Sequence, residues 1–229
     1  MNRPAATLIS VFAFAACALS APGCHQSRAP DVTAAADAPA AAKVAAAPAV
    51  GTDPGHAGMG TPLTAAPGHA LAAFGAGCFW GVEDAFRHVP GVVATAVGYS
   101  GGHTQNPTYD DVCTHTTGHA EAVLVEFDPA KISYEKLLTA FFEIHDPTQV
   151  DRQGPDRGDN YRSVVFTFDD AQAAAVRAAI AREQPSLPRP IATKVEPMRA
   201  FYKAEAFHQQ YSERTGDHSC PIARKLESL

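Results

Sequence analysis

The chain has 229 residues, 46% of them hydrophobic, and 18 Lys and Arg against 24 Asp and Glu give a formal net charge of −6. That length holds one domain of ordinary size plus appendages, and no Lys/Arg cluster forms the basic stripe that a nucleic-acid partner requires. The five cysteines, at positions 17, 24, 78, 113 and 220, lack the paired C-x-x-C spacing of a structural zinc site, so no metal is expected.

In chain order, residues 1–24 read as a signal peptide. Arg3 supplies a positive start, Leu8 to Leu19 is an apolar run too short to span a bilayer, and the small Ser20 and Ala21 follow, as cleavage requires. Cys17 and Cys24 both lie where a bacterial lipoprotein is acylated. Neither has the usual Leu at the third position before it, and Pro22 weakens the second, so lipidation and ordinary cleavage both stay open. The expected location is outside the cytoplasm: periplasmic, or membrane-anchored on the outer side of the inner membrane or on the outer membrane. Residues 25–68 are expected to be a disordered tether. From Ala29 to Gly68, Ala, Pro and Gly supply 26 of 40 residues with no aromatic, and such a segment buries too little apolar area to offset its ordering entropy.

The folded domain is therefore assigned to residues 69–229. Ala70 to Phe74 is a short apolar run, and Cys78 to about Val89 is a helix stopped by Pro90-Gly91. Gly77-Cys78-Phe79-Trp80-Gly81 is the stretch around which the rest is organised. It puts a cysteine at a strand-to-helix turn, where unpaired amides and the helix dipole favour a reactive thiolate. The alternative is a buried, inert cysteine. Val92 to Tyr99 is a strand, Gly98 to His103 a glycine-rich loop, and Asn106 to Tyr109 a turn. Ala120 to Phe127 alternates as a strand, and Glu121 shares a face with Val123, Val125 and Phe127. A carboxyl there is desolvated and kept protonated unless it turns to solvent at the strand end.

Ser133 caps a helix whose Tyr134, Leu137, Leu138, Phe141 and Phe142 form one apolar face. Asp146 to Asn160 is a long loop, and loops of that length inside compact domains are usually functional. A strand from Tyr161 to Phe168 and a capped helix from Asp169 to about Glu183 follow. Then come a short strand (Ala192 to Glu196), a last helix (about Ala204 to Arg214) and a tail holding Cys220. Strands, helices and returning strands with short connections give a single-domain α/β (α+β) two-layer sandwich: a mixed sheet with packed helices and a ferredoxin-like core.

Gly77-Cys78-Phe79-Trp80-Gly81 with Glu83, Gly98-Tyr99-Ser100-Gly101-Gly102, Asn106-Pro107-Thr108-Tyr109, Gly118-His119-Ala120-Glu121, His145-Asp146-Pro147-Thr148-Gln149 and Asn160-Tyr161-Arg162-Ser163 follow one another from about residue 71 to Tyr211. In that order and spacing the chain resembles the A-type methionine sulfoxide reductases. The resemblance implies thiol-dependent reduction of the S epimer of methionine sulfoxide, free or in oxidised proteins and peptides. It implies Cys78 as nucleophile, Glu121 as the acid that protonates the sulfoxide oxygen, and Tyr109 and Tyr161 as phenols bonded to that oxygen. Phe79 and Trp80 would enclose the substrate methyl group, with Asp156 as a supporting carboxylate. Glu83 and His119 would support these residues from behind.

The chemistry fits: a sulfoxide sulfur is a poor electrophile until its oxygen is protonated or hydrogen-bonded. Attack leaves a sulfenic acid on Cys78, which a second thiol must resolve. The resemblance points to Cys220 for that thiol, with a thioredoxin-like protein or a dithiol as reductant and no cofactor. Cys113 is a small buried side chain or a reserve thiol. His119 and His208 are expected to order loops or helix packing, and the chain is expected to be a monomer. Two other readings stand beside this one. A thiol hydrolase would use Cys78 with His119 or His145 as base, and a tethered binding module would hold a ligand without turnover.

Overall fold

The computed structural model describes residues 50–57 and 63–218. The expected leader with Cys17 and Cys24, and the expected resolving Cys220, lie outside those residues. In chain order the elements are β1 (Ala70–Ala76), α1 (Phe79–Arg87), β2 (Val92–Ser100), α2 (Tyr109–Cys113), β3 (Ala120–Phe127), α3 (Tyr134–Glu143), β4 (Arg152–Gln153), β5 (Asp156–Arg157), β6 (Ser163–Thr167), α4 (Asp170–Glu183), β7 (Lys194–Pro197), β8 (Phe201–Lys203) and α5 (Tyr211–Thr215). Six strands make one sheet in the order β7-β6-β1-β3-β2-β8. All neighbours are antiparallel except β6 and β7. The succession β1-α1-β2-β3-α3-β6, laid out as β6-β1-β3-β2, is a ferredoxin-like core. The mixed sheet with packed helices expected from the sequence is what forms.

The helices cover one face. Phe74 of β1 stacks on Phe86 of α1 at 4.7 Å and on Phe141 of α3 at 5.3 Å. Leu137, Leu138, Phe141 and Phe142 are buried, as the spacing of apolar residues in α3 requires. Strand β3 is buried along its whole length, on both faces. Val123, Val125 and Phe127 meet the helices, while Ala120, Ala122 and Leu124 join Ala73, Ala96, Val164, Phe166 and Phe201 on the other side.

That second face corrects the tether boundary. Residues 50–57 and 63–68, assigned to the tether by composition, pack on the domain. The Gly51 amide donates to the Val93 carbonyl at 2.7 Å, and Ala57 and Leu63 lie on the second cluster. Glu126 accepts the Gly55 and Ala66 amides. Arg87, itself buried, donates to the Val50 and Gly51 carbonyls, to Thr95 and to both carboxylate oxygens of Glu213. Ala/Pro/Gly composition carries no apolar signal, but its backbone groups still bond whatever strand edge and buried charges the domain offers.

Two further readings shift. The long loop after α3 holds the β4–β5 hairpin. The last helix shrinks to α5, because Gln210 adopts a left-handed φ of 47° and the Gln209 side chain bonds the β2 edge, accepting from the Val97 amide at 3.0 Å and donating to its carbonyl at 2.8 Å.

Candidate active site

The site is built where β1 ends. Gly77 has φ 97°, a left-handed turn that a side chain would strain, and it delivers the chain into α1 with Cys78 as the capping residue. Cys78 is half-buried. Two residues beyond the paired Phe74 and Val123, β3 comes back to Glu121, which pairs with Tyr99 of β2. Glu121 is 2% exposed, and its Oε2 accepts the Phe79 amide at 3.0 Å. The carboxyl is therefore fixed on the first amide of the helix that Cys78 caps, where the dipole concentrates positive potential. The alternative of a strand-end Glu turned to solvent is excluded.

Tyr109 opens α2, a short helix absent from the sequence reading. It is set by the Thr108–Asp111 capping box, and the Tyr109 amide donates to Glu205 at 2.9 Å. Burial, then a hydrogen bond to Cys113 and the charge of Glu121, raise the Tyr109 pKa; burial and the charge of Glu121 do the same for Tyr161, with Asp156 adding to it. Both phenols thus stay protonated donors, and both lie close enough to Glu121 to feel its charge. Asp156, on β5, has its own pKa raised by burial. Cys78, Glu121, Tyr109, Tyr161 and Asp156 come from five separate segments and converge on one end of the sheet.

Phe79 is 1% exposed and its ring lies 6.0 Å from Tyr99 and 5.2 Å from His208. Trp80, half-buried, stacks on Tyr211 at 3.9 Å, and its indole N–H donates to His208 Nδ1 at 3.1 Å. The His208 ring is also 4.5 Å from Tyr109. Since an indole only donates, Nδ1 of His208 must be bare and Nε2 carries the hydrogen. Burial lowers the His208 pKa, against the charge of Glu205. His208 was expected only to order local packing, and Tyr211 and Glu205 were not singled out. Their signal was compositional: five rings fall between Phe201 and Tyr211, beside a strand edge.

Behind these side chains, Glu83 is 1% exposed and accepts from Thr95, the Gln210 amide and the Gln210 side chain. Burial raises its pKa against those donors. His119 closes the loop that carries Tyr109. Its Nδ1 accepts the Gly102 amide at 3.2 Å and its Nε2 donates to the Thr104 carbonyl at 2.8 Å. A Cβ on Gly102 would stand 2.4 Å from that ring, so the glycine is obligatory. His145 spends Nδ1 on the Phe141 carbonyl and Nε2 on Ser163, and burial lowers its pKa to about 4. Neither His119 nor His145 has a ring nitrogen to spare as base for Cys78, which removes the hydrolase reading. Among the described residues no group of three His, Cys, Asp or Glu has the arrangement of a metal site. A cavity of about 550 Å³ lined by Thr52, Pro107, Lys203, Glu205 and Gln209 lies beside the cluster and reaches none of Cys78, Glu121 or Tyr161.

A thiol at a helix start, held beside a buried carboxyl and two phenols, suits attack on a centre whose oxygen must be protonated as it leaves. Comparison with known proteins points the same way. A family model described as peptide methionine sulfoxide reductase matches residues 70–228. The chain is 54% identical over 151 residues to the peptide methionine sulfoxide reductase MsrA of Geobacter sulfurreducens, covering 65% of this chain and 93% of that one. It is 56% identical over 154 residues to the MsrA of Methanosarcina mazei, covering 66% and 73%. Among solved structures it resembles reduced Mxr1 of Saccharomyces cerevisiae, with 34% identity, TM-score 0.67 and coverage of 71% of this chain and 95% of that one. Methionine sulfoxide reductase A of Corynebacterium diphtheriae gives 35% identity, TM-score 0.65 and coverage of 76% and 91%.

Proposed function

This chain belongs to the peptide methionine sulfoxide reductase family and is an oxidoreductase, and from that premise we propose a course for the reaction and a role for each side chain. Cys78 attacks the sulfur of the S epimer of methionine sulfoxide while Glu121 passes its proton to the oxygen. Tyr109 and Tyr161 hold that oxygen by their O–H groups, Phe79 and Trp80 enclose the methyl group, and Asp156 supports the pocket from the β4–β5 hairpin. The attack joins the two sulfurs, and the oxygen leaves as water with the proton of Glu121 and that of the thiol. A water then adds to the Cys78 sulfur and returns a proton to Glu121, the sulfur–sulfur bond breaks, and methionine leaves with Cys78 as a sulfenic acid. The Cys220 thiol then displaces the sulfenic hydroxyl as water and closes a disulfide, which a thioredoxin-like protein or a dithiol reduces at the cost of its own oxidation.

The observation that carries this reading is the 3.0 Å hydrogen bond from the Phe79 amide to Glu121. It locks a buried acid onto the turn that presents the nucleophile. The test offers each epimer separately to the reduced protein with dithiothreitol. Consumption of the S epimer alone, abolished in Cys78→Ser, supports the reading; consumption of neither overturns it in favour of a binding module.

Residues 1–24 act in this proposal as an export signal, and the substrates are oxidised proteins outside the cytoplasm. Mass spectrometry of the mature N-terminus decides this: a chain still starting at Met1 removes the export reading, and a diacylglycerol on Cys17 or Cys24 establishes the anchor.

A further inference from the structure

Between β8 and α5 the chain turns over residues 206–210, and the residues around that turn are tied inward. Glu205 takes the Tyr109 amide and the Tyr99 hydroxyl. The His208 amide donates to the Glu205 carbonyl at 2.9 Å, and the Gln209 side chain donates to the Ala204 carbonyl at 2.8 Å. Glu83 accepts the Gln210 amide. From the other side Nη1 of Arg214 donates to the carbonyl oxygens of Ala206, Phe207 and Gln209, at 3.1–3.2 Å. The Phe207 side chain is the exception. It is 58% exposed, and with Val150 it is one of two large apolar residues left exposed among the described residues.

An exposed apolar side chain that stands alone is ordinary. This one is continuous with the site. Its ring lies 4.1 Å from that of the buried His208, which in turn lies 4.5 Å from Tyr109, 5.2 Å from Phe79 and 5.6 Å from Trp80. Phe207 is therefore the outermost ring of the row that starts at Phe79 and Trp80, the two side chains proposed to enclose the substrate methyl group. The hydrogen bonds of the turn fix its backbone on both sides, so the ring is held at the edge of the site and forgoes the stabilisation that burial would give it.

We propose that Phe207 is a specificity-determining platform for polypeptide substrates: its ring receives an apolar side chain adjacent in sequence to the methionine sulfoxide. Free methionine sulfoxide has no such neighbour and makes no such contact. The inference deepens the reductase reading and rests on it. The reach is adequate: two ring steps of 4.1 and 5.2 Å put the centres of Phe207 and Phe79 no more than about 9 Å apart, a span that the side chains of adjacent residues in an extended chain cover. The substrate chemistry agrees. Methionine is among the residues most often buried, so a damaged segment that presents its sulfoxide to an enzyme carries core side chains out with it.

The full chain, with dithiothreitol, is offered three substrates: the free S epimer of methionine sulfoxide, and two blocked tripeptides that hold it between leucines or between serines. The unmodified chain should show its highest kcat/KM on the leucine peptide. Phe207→Ala should lower that value about tenfold, the scale of one lost apolar contact, and should do so through KM with kcat kept. Free methionine sulfoxide and the serine peptide should change by less than about twofold, as for an ordinary surface substitution. Phe207→Tyr keeps the apolar faces of the ring and should behave as the unmodified chain. Phe207 is exposed, so these variants fold. An equal loss on all three substrates would make Phe207 a support for His208 and overturn the platform. So would a preference for the leucine peptide that survives in Phe207→Ala, or an unmodified chain that treats the three substrates alike. If the unmodified chain consumes none of the three, the reductase reading itself falls, and the platform with it.

Discussion

Strand β3 carries two buried glutamates five residues apart, and so on opposite faces of the sheet. Glu126, 5% exposed, accepts the Gly55 amide at 2.7 Å and the Ala66 amide at 3.0 Å, and lies 2.8 Å from His69 Nδ1. Burial opposes its charge, but those donors outweigh burial and hold its pKa below the ordinary value. Glu121, 2% exposed, lies on the start of α1 beside Cys78 and within the field of two phenols. Equal burial thus has two uses, and the company decides which. Amides and an imidazole stabilise a carboxylate and turn it into a fastener for the N-terminal segment. Two phenols and the turn that carries a thiol surround the other, whose proposed use is the proton it delivers.

The sharpest way to break this comparison is to neutralise each carboxyl in turn. Glu121→Gln keeps the shape and the acceptor for the Phe79 amide but has no acidic proton. Methionine formation should fall about 10²–10⁴-fold, the usual size of a general-acid contribution. The melting temperature should hardly move. Glu126→Gln should do the reverse: turnover of the wild-type order, but a loss of about 1–3 kcal/mol, the cost of weakening bonds to buried donors. For a domain of this size that lowers the melting temperature by about 2–4 °C per kcal/mol. If both variants lose activity alike, company does not distinguish them.

Between those effects in size stand the phenols. In the proposed reaction Tyr109→Phe and Tyr161→Phe each remove one O–H donor from the leaving oxygen, and each should lower turnover about 100–1000-fold, the size of a lost oxyanion donor. If both phenols act on one oxygen, as proposed, the double variant should lose less than the product of the two. Turnover measured at saturating substrate checks this; a change confined to the Michaelis constant would make the tyrosines mere walls of the pocket.

Much of the helix-side core was legible because it is periodic. The spacing of apolar residues in α3, and Glu121 on the face of Val123, Val125 and Phe127, follow from the geometry of helix and strand. The motifs that carry the family resemblance imply one shared site for Cys78, Glu121, Tyr109, Tyr161 and Asp156, which periodicity alone does not. What stayed hidden depends on contacts between distant, non-periodic segments. Gly51 on the β2 edge, the amides of Gly55 and Ala66 on Glu126, and His208 and Tyr211 against Trp80 leave no trace in local patterning. Gln210, in a left-handed conformation, ends a stretch that reads as continuous helix.

The smallest expected effect tests charge itself. Glu126 has a folded pKa below its reference value of 4.5, so its stabilisation is fully present above pH about 4.5 and is lost as pH falls through the lowered folded value. Glu83 works with the opposite sign: burial raises its pKa above 4.5, and the stability it gives is present in acid and lost as pH rises through the raised value. The two partly cancel in the unmodified protein, so its acid unfolding curve alone is uninformative. The stability gap between wild type and Glu126→Gln is the useful quantity. It should be widest near pH 6–7 and close progressively below pH 4.5, while the gap for Glu83→Gln should widen in acid. A Glu126→Gln gap that stays constant from pH 7 to 3 would mean that shape rather than charge fastens the N-terminal segment. The two glutamates of β3 would then differ in position but not in kind.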